Sequence, residues 1–320
     1  MQIRLLIPII LILFLISCGS KESKSNDAVF MANVYLSDNK CDLALAELTK
    51  VDPEYYNFYY YQALASAKAC KASYSVLNFI NEIDDFTTTS SFFNFLAGLS
   101  TSNETTTASA NFAHLTGAIN SILFLKSVSE PRFSDRLNVI TNRSQAEELS
   151  LQALLMIFVY LGKWLNLYGD TDDAGLKGTG VLCLLAYPTE ASSFLNVAER
   201  TALLGASGTC LPASAASSPL LPFGVTDTRN ALCNFIVYFN HVRDLTSNIT
   251  LSSHTSMGDL SDAFADMENY VDAAEVAFPG IGNVLTFYNV DSCNTYYDSN
   301  NGAKKNIHAF MAGIVDENFQ

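Results

Sequence analysis

Over most of its length the chain places apolar residues at a helical period, and the stretches that break the period mark loops and ends. Phe30, Val34, Ala44, Leu48 and Val51 form one such series. After an aromatic-rich segment, Tyr61, Leu64, Ala65, Ala67 and Lys68 form another. Further helices are predicted at about 108–128, 144–168, 228–247, 258–277 and 303–317. The most apolar of them, "LSLQALLMIFVYLGKWLNLYG", is interrupted by Gln152 and Lys163 and reads as a buried central helix. Ser144 precedes Glu147 at capping-box spacing, and Asp259 opens a run with Asp262 in its first turn. The Ser/Thr clusters "TTTSSFF" and "STSNETTTASA" and the Pro/Ser/Gly-rich "GTCLPASAASSPLLPFGVTDT" carry no sustained period and read as loops. The fold class that follows is all-α, a set of stacked helical hairpins, repeat-like or an irregular bundle.

The first 27 residues follow different rules. Leu5 to Ile16 is an apolar run of about a dozen residues behind Arg4, short of the roughly 20 that cross a bilayer, and has the form of a signal-peptide core. It runs through Leu15, Ile16 and Ser17 into Cys18, Gly19 and Ser20. This stretch resembles the lipobox of bacterial lipoproteins. The resemblance implies thioether attachment of a diacylglycerol to Cys18, cleavage before it, and acylation of its new amino group. Gly19, in place of an aspartate, is what the resemblance associates with the outer membrane. Residues 19–27, "GSKESKSND", are small, polar and without apolar period, and read as a flexible tether. The expected organisation is signal peptide at 1–17, lipidated cysteine and tether at 18–27, and a helical domain at 28–320, repeat-like at 28–83.

Within that domain, Ala32, Tyr35, Ala44, Leu48 and Val51 resemble the paired-helix pattern of a tetratricopeptide repeat. The likeness covers about one repeat. Pro53 comes early for the family, and the first-helix tryptophan is missing. A generic amphipathic hairpin accounts for the same small residues at Ala32 and Ala44.

Charge narrows the partners. With 18 Lys and Arg against 32 Asp and Glu the net charge is −14, which argues against nucleic acid. Once Cys18 is assigned to lipid, six cysteines remain: Cys41, Cys70, Cys183, Cys210, Cys233 and Cys293. An even set in an oxidising compartment suits three disulfides, and no pair has the C-x-x-C spacing of zinc or redox sites. In a helical hairpin the chain ascends near Cys41 and descends two helices later near Cys70, so those two sulfurs reach one level and are expected to pair. Cys233, early in its helix, is a candidate mate for Cys210 or Cys183.

Catalytic signatures are missing from the sequence. His114, His241, His254 and His308 are scattered and read as surface or satisfied core residues. "GASGT" lacks the spacing of a nucleophile elbow, and "GLKGTG" follows an acidic turn in place of a strand. Asp170, Asp172, Asp173 and Gly175 resemble the opening of an EF-hand loop, but Ala174 and Val181 stand at ligand positions. The turn is therefore expected to be structural, with no metal and no cofactor. Trp164 and Tyr168, one turn apart, together with Asp170 and Asp172, form the expected ligand-facing surface. Two functions fit: a lipid-anchored helical scaffold for an envelope protein partner, or a solute-binding accessory lipoprotein of a transport system. No enzyme is expected.

Overall fold

A computed structural model describes residues 20–74, 92–98, 109–125, 131–172, 175–178, 184, 199, 226–249, 268–269, 271–316 and 318–319. Every regular element among them is helical. In chain order these are α1 (Lys21–Ser37), α2 (Cys41–Leu48), α3 (Phe58–Lys71), α4 (Phe92–Gly98), α5 (Ala110–Leu123), α6 (Phe133–Val139), α7 (Arg143–Gly169), α8 (Thr226–Asn248), α9 (Val290–Ser299) and α10 (Asn301–Phe310). Short 3-10 turns cover Pro53–Tyr55 and Ile281–Thr286, and α10 continues into a π-helical turn at Met311–Asp316.

The organising element is α7. It is 27 residues long and apolar on nearly every side, so it can satisfy its surface only by being enclosed. α4, α5 and α8 pack along it, with smaller contacts from α3 and α6. Length and composition alone would let α7 cross a membrane, yet 72% of its most apolar window is buried inside the protein. The N-terminal hairpins α1–α2 and α3–α5 are stacked on one side. α8, α9, α10 and the 281–286 turn form the other.

Two expectations change at the N-terminus. Helix α1 begins at Lys21, so most of the residues expected to be tether are its first two turns. The Ser20 hydroxyl caps it by accepting from the Ser23 amide at 3.2 Å, and Ser25 is buried where its hydroxyl accepts from the Asp52 amide at 3.4 Å. Packing at Ala28, Val29 and Ala32 supplies the nucleus, and extending a formed helix backwards adds a bond for each residue fixed. Phe30 and Val34, read as core positions, instead point outward at 67% and 38% exposure. The small residues Ala32 and Ala44, both fully buried, let α1 and α2 approach closely, and that contact sets which face turns inward.

Elsewhere the boundaries shift modestly. The cap of α7 is Asn142, accepting from the Gln145 amide, in place of the Ser144–Glu147 box. Helices α4, α6 and α9 were not anticipated. Of the helix expected at 258–277, residues 268–269 and 271–274 are helical, and 258–267 and 270 lie outside the described residues, as does Asp259.

Candidate functional site

Beginning with the expected site, α7 ends where Asp170 takes a left-handed conformation (φ 46°). The Gly178 amide then donates to the Gly169 carbonyl at 2.8 Å. Between them, the Asp172 amide donates to the Leu176 carbonyl, the Gly175 amide to the Asp172 carbonyl, and the Leu176 amide to Asp172 Oδ1 at 2.9 Å. Gly175 has φ +75°, and a Cβ there would stand 2.0 Å from the Asn94 carbonyl oxygen, so the turn is pressed against α4. The Asp172 carboxylate thus closes its own turn, the ordinary use of an Asx residue. Asp173, Ala174 and Val181 lie outside the described residues. Among the described residues no group of three or more His, Cys, Asp or Glu side chains could hold a metal ion.

Trp164 does not face a ligand surface. It is fully buried, its Nε1 donates to the Ala231 carbonyl at 3.2 Å, and its ring lies 4.6 Å from both Phe235 and Tyr168. The expected pairing of Trp164 and Tyr168 is present, but it serves the α7–α8 contact. Because α7 is apolar all round, the face leading to the acidic turn is covered by α8 and not left to solvent.

Among the described residues, a buried polar cluster lies where α6, the start of α7 and the end of α8 meet. Arg136 is completely buried; its Nη1 donates to the Pro131 carbonyl at 2.7 Å, its Nη2 stands 3.6 Å from Asp244 Oδ2, and its Nε meets no acceptor. Asp244 Oδ2 also accepts from the Phe133 amide at 2.8 Å, which fixes the entry of α6. Burial lowers the Arg136 guanidinium to about 10, with Asp244 opposing, and the same burial raises the Asp244 carboxyl against the pull of Arg136. Desolvation therefore outweighs attraction for both partners, the usual balance for an ion pair taken out of water.

One turn from Asp244, His241 is also fully buried and its Nε2 donates to the Tyr288 carbonyl at 3.0 Å, a tautomer assigned from that partner. Its Nδ1 has no hydrogen-bond partner. Burial and the neighbouring Arg136 push its imidazole down to about 3, so it is neutral at ordinary pH. Arg132 lies over the Tyr288 ring at 5.0 Å, and Arg143 over Phe133 at 5.8 Å while reaching the Asn248 carbonyl at 3.5 Å. Four of the seven arginines in the chain, Arg132, Arg136, Arg143 and Arg243, thus converge around the carboxyl end of α8, where unpaired helix carbonyls favour cations. In a chain this poor in basic residues, "PRFSDR" with two arginines around one phenylalanine was the available signal, and it went unread.

A second buried ion pair ties the acidic turn to the C-terminal segment. Asp316 Oδ1 accepts from Lys177 Nζ at 3.4 Å and from the Leu184 amide at 2.9 Å, and Lys177 Nζ lies 5.2 Å from the Phe319 ring. His308 is fully buried, its imidazole held well below the usual range by desolvation. His114 is half-buried on α5, and His254 lies outside the described residues.

Two disulfides are present among the described residues. Cys41 and Cys70 are bonded with Cα atoms 5.7 Å apart, joining the start of α2 to the end of α3. Cys233 is bonded to Cys293, Cα atoms 5.6 Å apart, and not to Cys183 or Cys210, because α9 packs directly beside α8. Cys18, Cys183 and Cys210 lie outside the described residues.

No protein-family model, no curated protein and no solved structure matches the chain. The functional reading therefore rests on its own residues.

Proposed function

We propose that the chain is a lipoprotein of the bacterial envelope, anchored through Cys18 to the outer membrane on its periplasmic or surface side, and that it works as a helical scaffold for another envelope protein. The observation that carries this reading is the placement of Cys18 after Leu15, Ile16 and Ser17, two residues ahead of the helix cap at Ser20. Behind that cap stands a helical body braced by Cys41–Cys70 and Cys233–Cys293, bonds suited to an oxidising compartment. Full burial of Ala32 and Ala44 supports the repeat-like character of the first hairpin. The polar clusters at Arg136–Asp244 and Lys177–Asp316 join helix ends to one another, as a scaffold requires. Metabolic labelling with palmitate, with Cys18→Ala as control, tests the anchor. Site-specific cross-linking in intact envelopes tests the partner. Labelled, mature protein from Cys18→Ala removes the anchor reading, and failure to recover one reproducible cross-linked protein removes the scaffold.

The second reading, a solute-binding accessory of a transport system, draws on one observation. Arg136 Nε is a buried donor without a hydrogen-bond partner in the midst of the four arginines. Such a group favours a small carboxylate. A melting temperature unchanged by millimolar small carboxylic acids removes this reading.

A further inference from the structure

Helix α1 has a face that none of the described residues covers. Its inward side is Ser25, Ala28, Val29 and Ala32. At 100° per residue, Ser23, Asp27, Phe30 and Val34 fall on the opposite side, with Lys24 and Met31 on its flank. Phe30 is 67% exposed, Met31 36% and Val34 38%, so the second half of this face presents three large apolar side chains to the surroundings. Leu43, 49% exposed, stands early in α2, at the end of the hairpin where α1 finishes.

The distance to Cys18 determines what covers this face. Because the helix is capped at Ser20, only one residue separates Cys18 from the cap, a reach of about 7 Å at the spacing of consecutive Cα atoms. Phe30 then lies about 15 Å and Val34 about 21 Å along a rigid helix from the cap. Only Gly19 stands between Cys18 and the cap of α1, so lipid chains rooted at Cys18 would keep the start of the helix at the bilayer surface. We propose that α1 lies in the interfacial layer of the membrane that holds the anchor, with Phe30, Met31 and Val34 seated at the acyl boundary. Ser23 and Asp27 share that face nearer the anchor and meet the headgroup layer, with the exposed Lys24 on its flank, so the helix is seated more deeply toward its second half. The body rests on the membrane through the α1–α2 hairpin. This inference depends on the Cys18 anchor proposed above.

The test uses full-length acylated protein in vesicles of phosphatidylethanolamine and phosphatidylglycerol carrying lipids brominated near the top of the acyl chain. Trp164, the one native tryptophan, is buried and sets a common background. Phe30→Trp is compared with Val276→Trp, since Val276 is 91% exposed but lies far along the chain from the anchor. Fluorescence of Phe30→Trp should be quenched about twofold or more beyond that of Val276→Trp, as expected for an indole at the interface. Equal quenching of the two, with Cys18 shown by mass spectrometry to be acylated, overturns the docking and leaves the anchor standing. Absence of acyl groups on Cys18 overturns both. A photoactivatable residue at position 30 that joins to lipid in intact envelopes supports the proposal, and one that joins to a protein overturns it in favour of that partner.

Discussion

Cys233 on α8 and Cys293 on α9, sixty residues apart in sequence, are bonded at a point where both residues are fully removed from solvent. Cys41 and Cys70, 29 apart, are bonded where both remain partly exposed. A reductant acts on the sulfur it can reach. Under native conditions dithiothreitol should open Cys41–Cys70 first, while Cys233–Cys293 persists until the protein unfolds. Timed alkylation followed by peptide mass spectrometry reads the order. Paired Cys41→Ser and Cys70→Ser substitutions should cost about 3 to 4 kcal/mol, the loop-closure entropy of a loop of this length.

Removing one member of the Arg136–Asp244 pair should be worse than removing both charges. Arg136→Met leaves the Asp244 carboxylate buried with only the neutral donors of the Phe133 amide and the Asn248 side chain as hydrogen-bond partners, and the loss should be about 3 to 5 kcal/mol. Adding Asp244→Asn keeps an acceptor for that amide and should recover a large part. Urea unfolding of the single and double variants decides it; equal losses would mean the charge is not what Arg136 contributes.

Stability should fall as pH drops below the ordinary histidine range. His241 and His308 stay neutral in the fold because burial lowers both, His241 to about 3, whereas in the unfolded chain they take up protons near pH 6.5. The unfolded state then binds more protons; His241 should subtract about 1.4 kcal/mol per pH unit as pH falls below about 6.5, and His308 acts in the same direction. Asp244, raised by burial, works the other way and only toward its own acidic range. Denaturation at pH 7.5, 6 and 5 should show the decline, and His241→Asn should make it shallower.

Millimolar calcium should leave the melting temperature unchanged, because Asp172 already accepts from the Leu176 amide within its turn. Gly175→Ala, by contrast, should destabilise strongly, since its Cβ would meet the Asn94 carbonyl at 2.0 Å and φ is +75°. A calcium-dependent rise abolished by Asp170→Asn with Asp172→Asn would instead make the turn a metal site.

The helices that were legible in the sequence are those whose length outvotes local noise. α7 and α8 span 27 and 23 residues, and their apolar positions repeat over many turns. α9, reading "VDSCNTYYDS", buries only Cys293 and Tyr297, so its inward face has too few members to form a pattern. The Cys233–Cys293 bond could not be read for the same reason: it depends on α9 being recognised as a helix and then placed beside α8. The start of α1 was misjudged because its first turns are polar, and their order comes from the local Ser20 cap and from Ser25 and Lys21 meeting Asp52, contacts that span 27 and 31 residues. Trp164 was assigned to a surface because aromatic residues near an acidic turn suggest one. Only the position of α8 turns that face inward.

The enclosure of α7 has a consequence before the protein is folded. On the export route proposed above, the same 27 residues would meet a translocation machinery that sorts segments by apolarity, with α8 and α9 not yet available to cover them. Ser150, Gln152, Lys163 and Asn166 weigh against lateral escape into the bilayer, where a central cation alone costs about 2.5 to 3.5 kcal/mol. In the finished structure Gln152 recovers a partner, donating to the Ser66 hydroxyl of α3 at 2.9 Å. Replacing it with leucine would give up that bond and, on the proposed route, make the segment a worse passenger, more prone to be stranded in the bilayer.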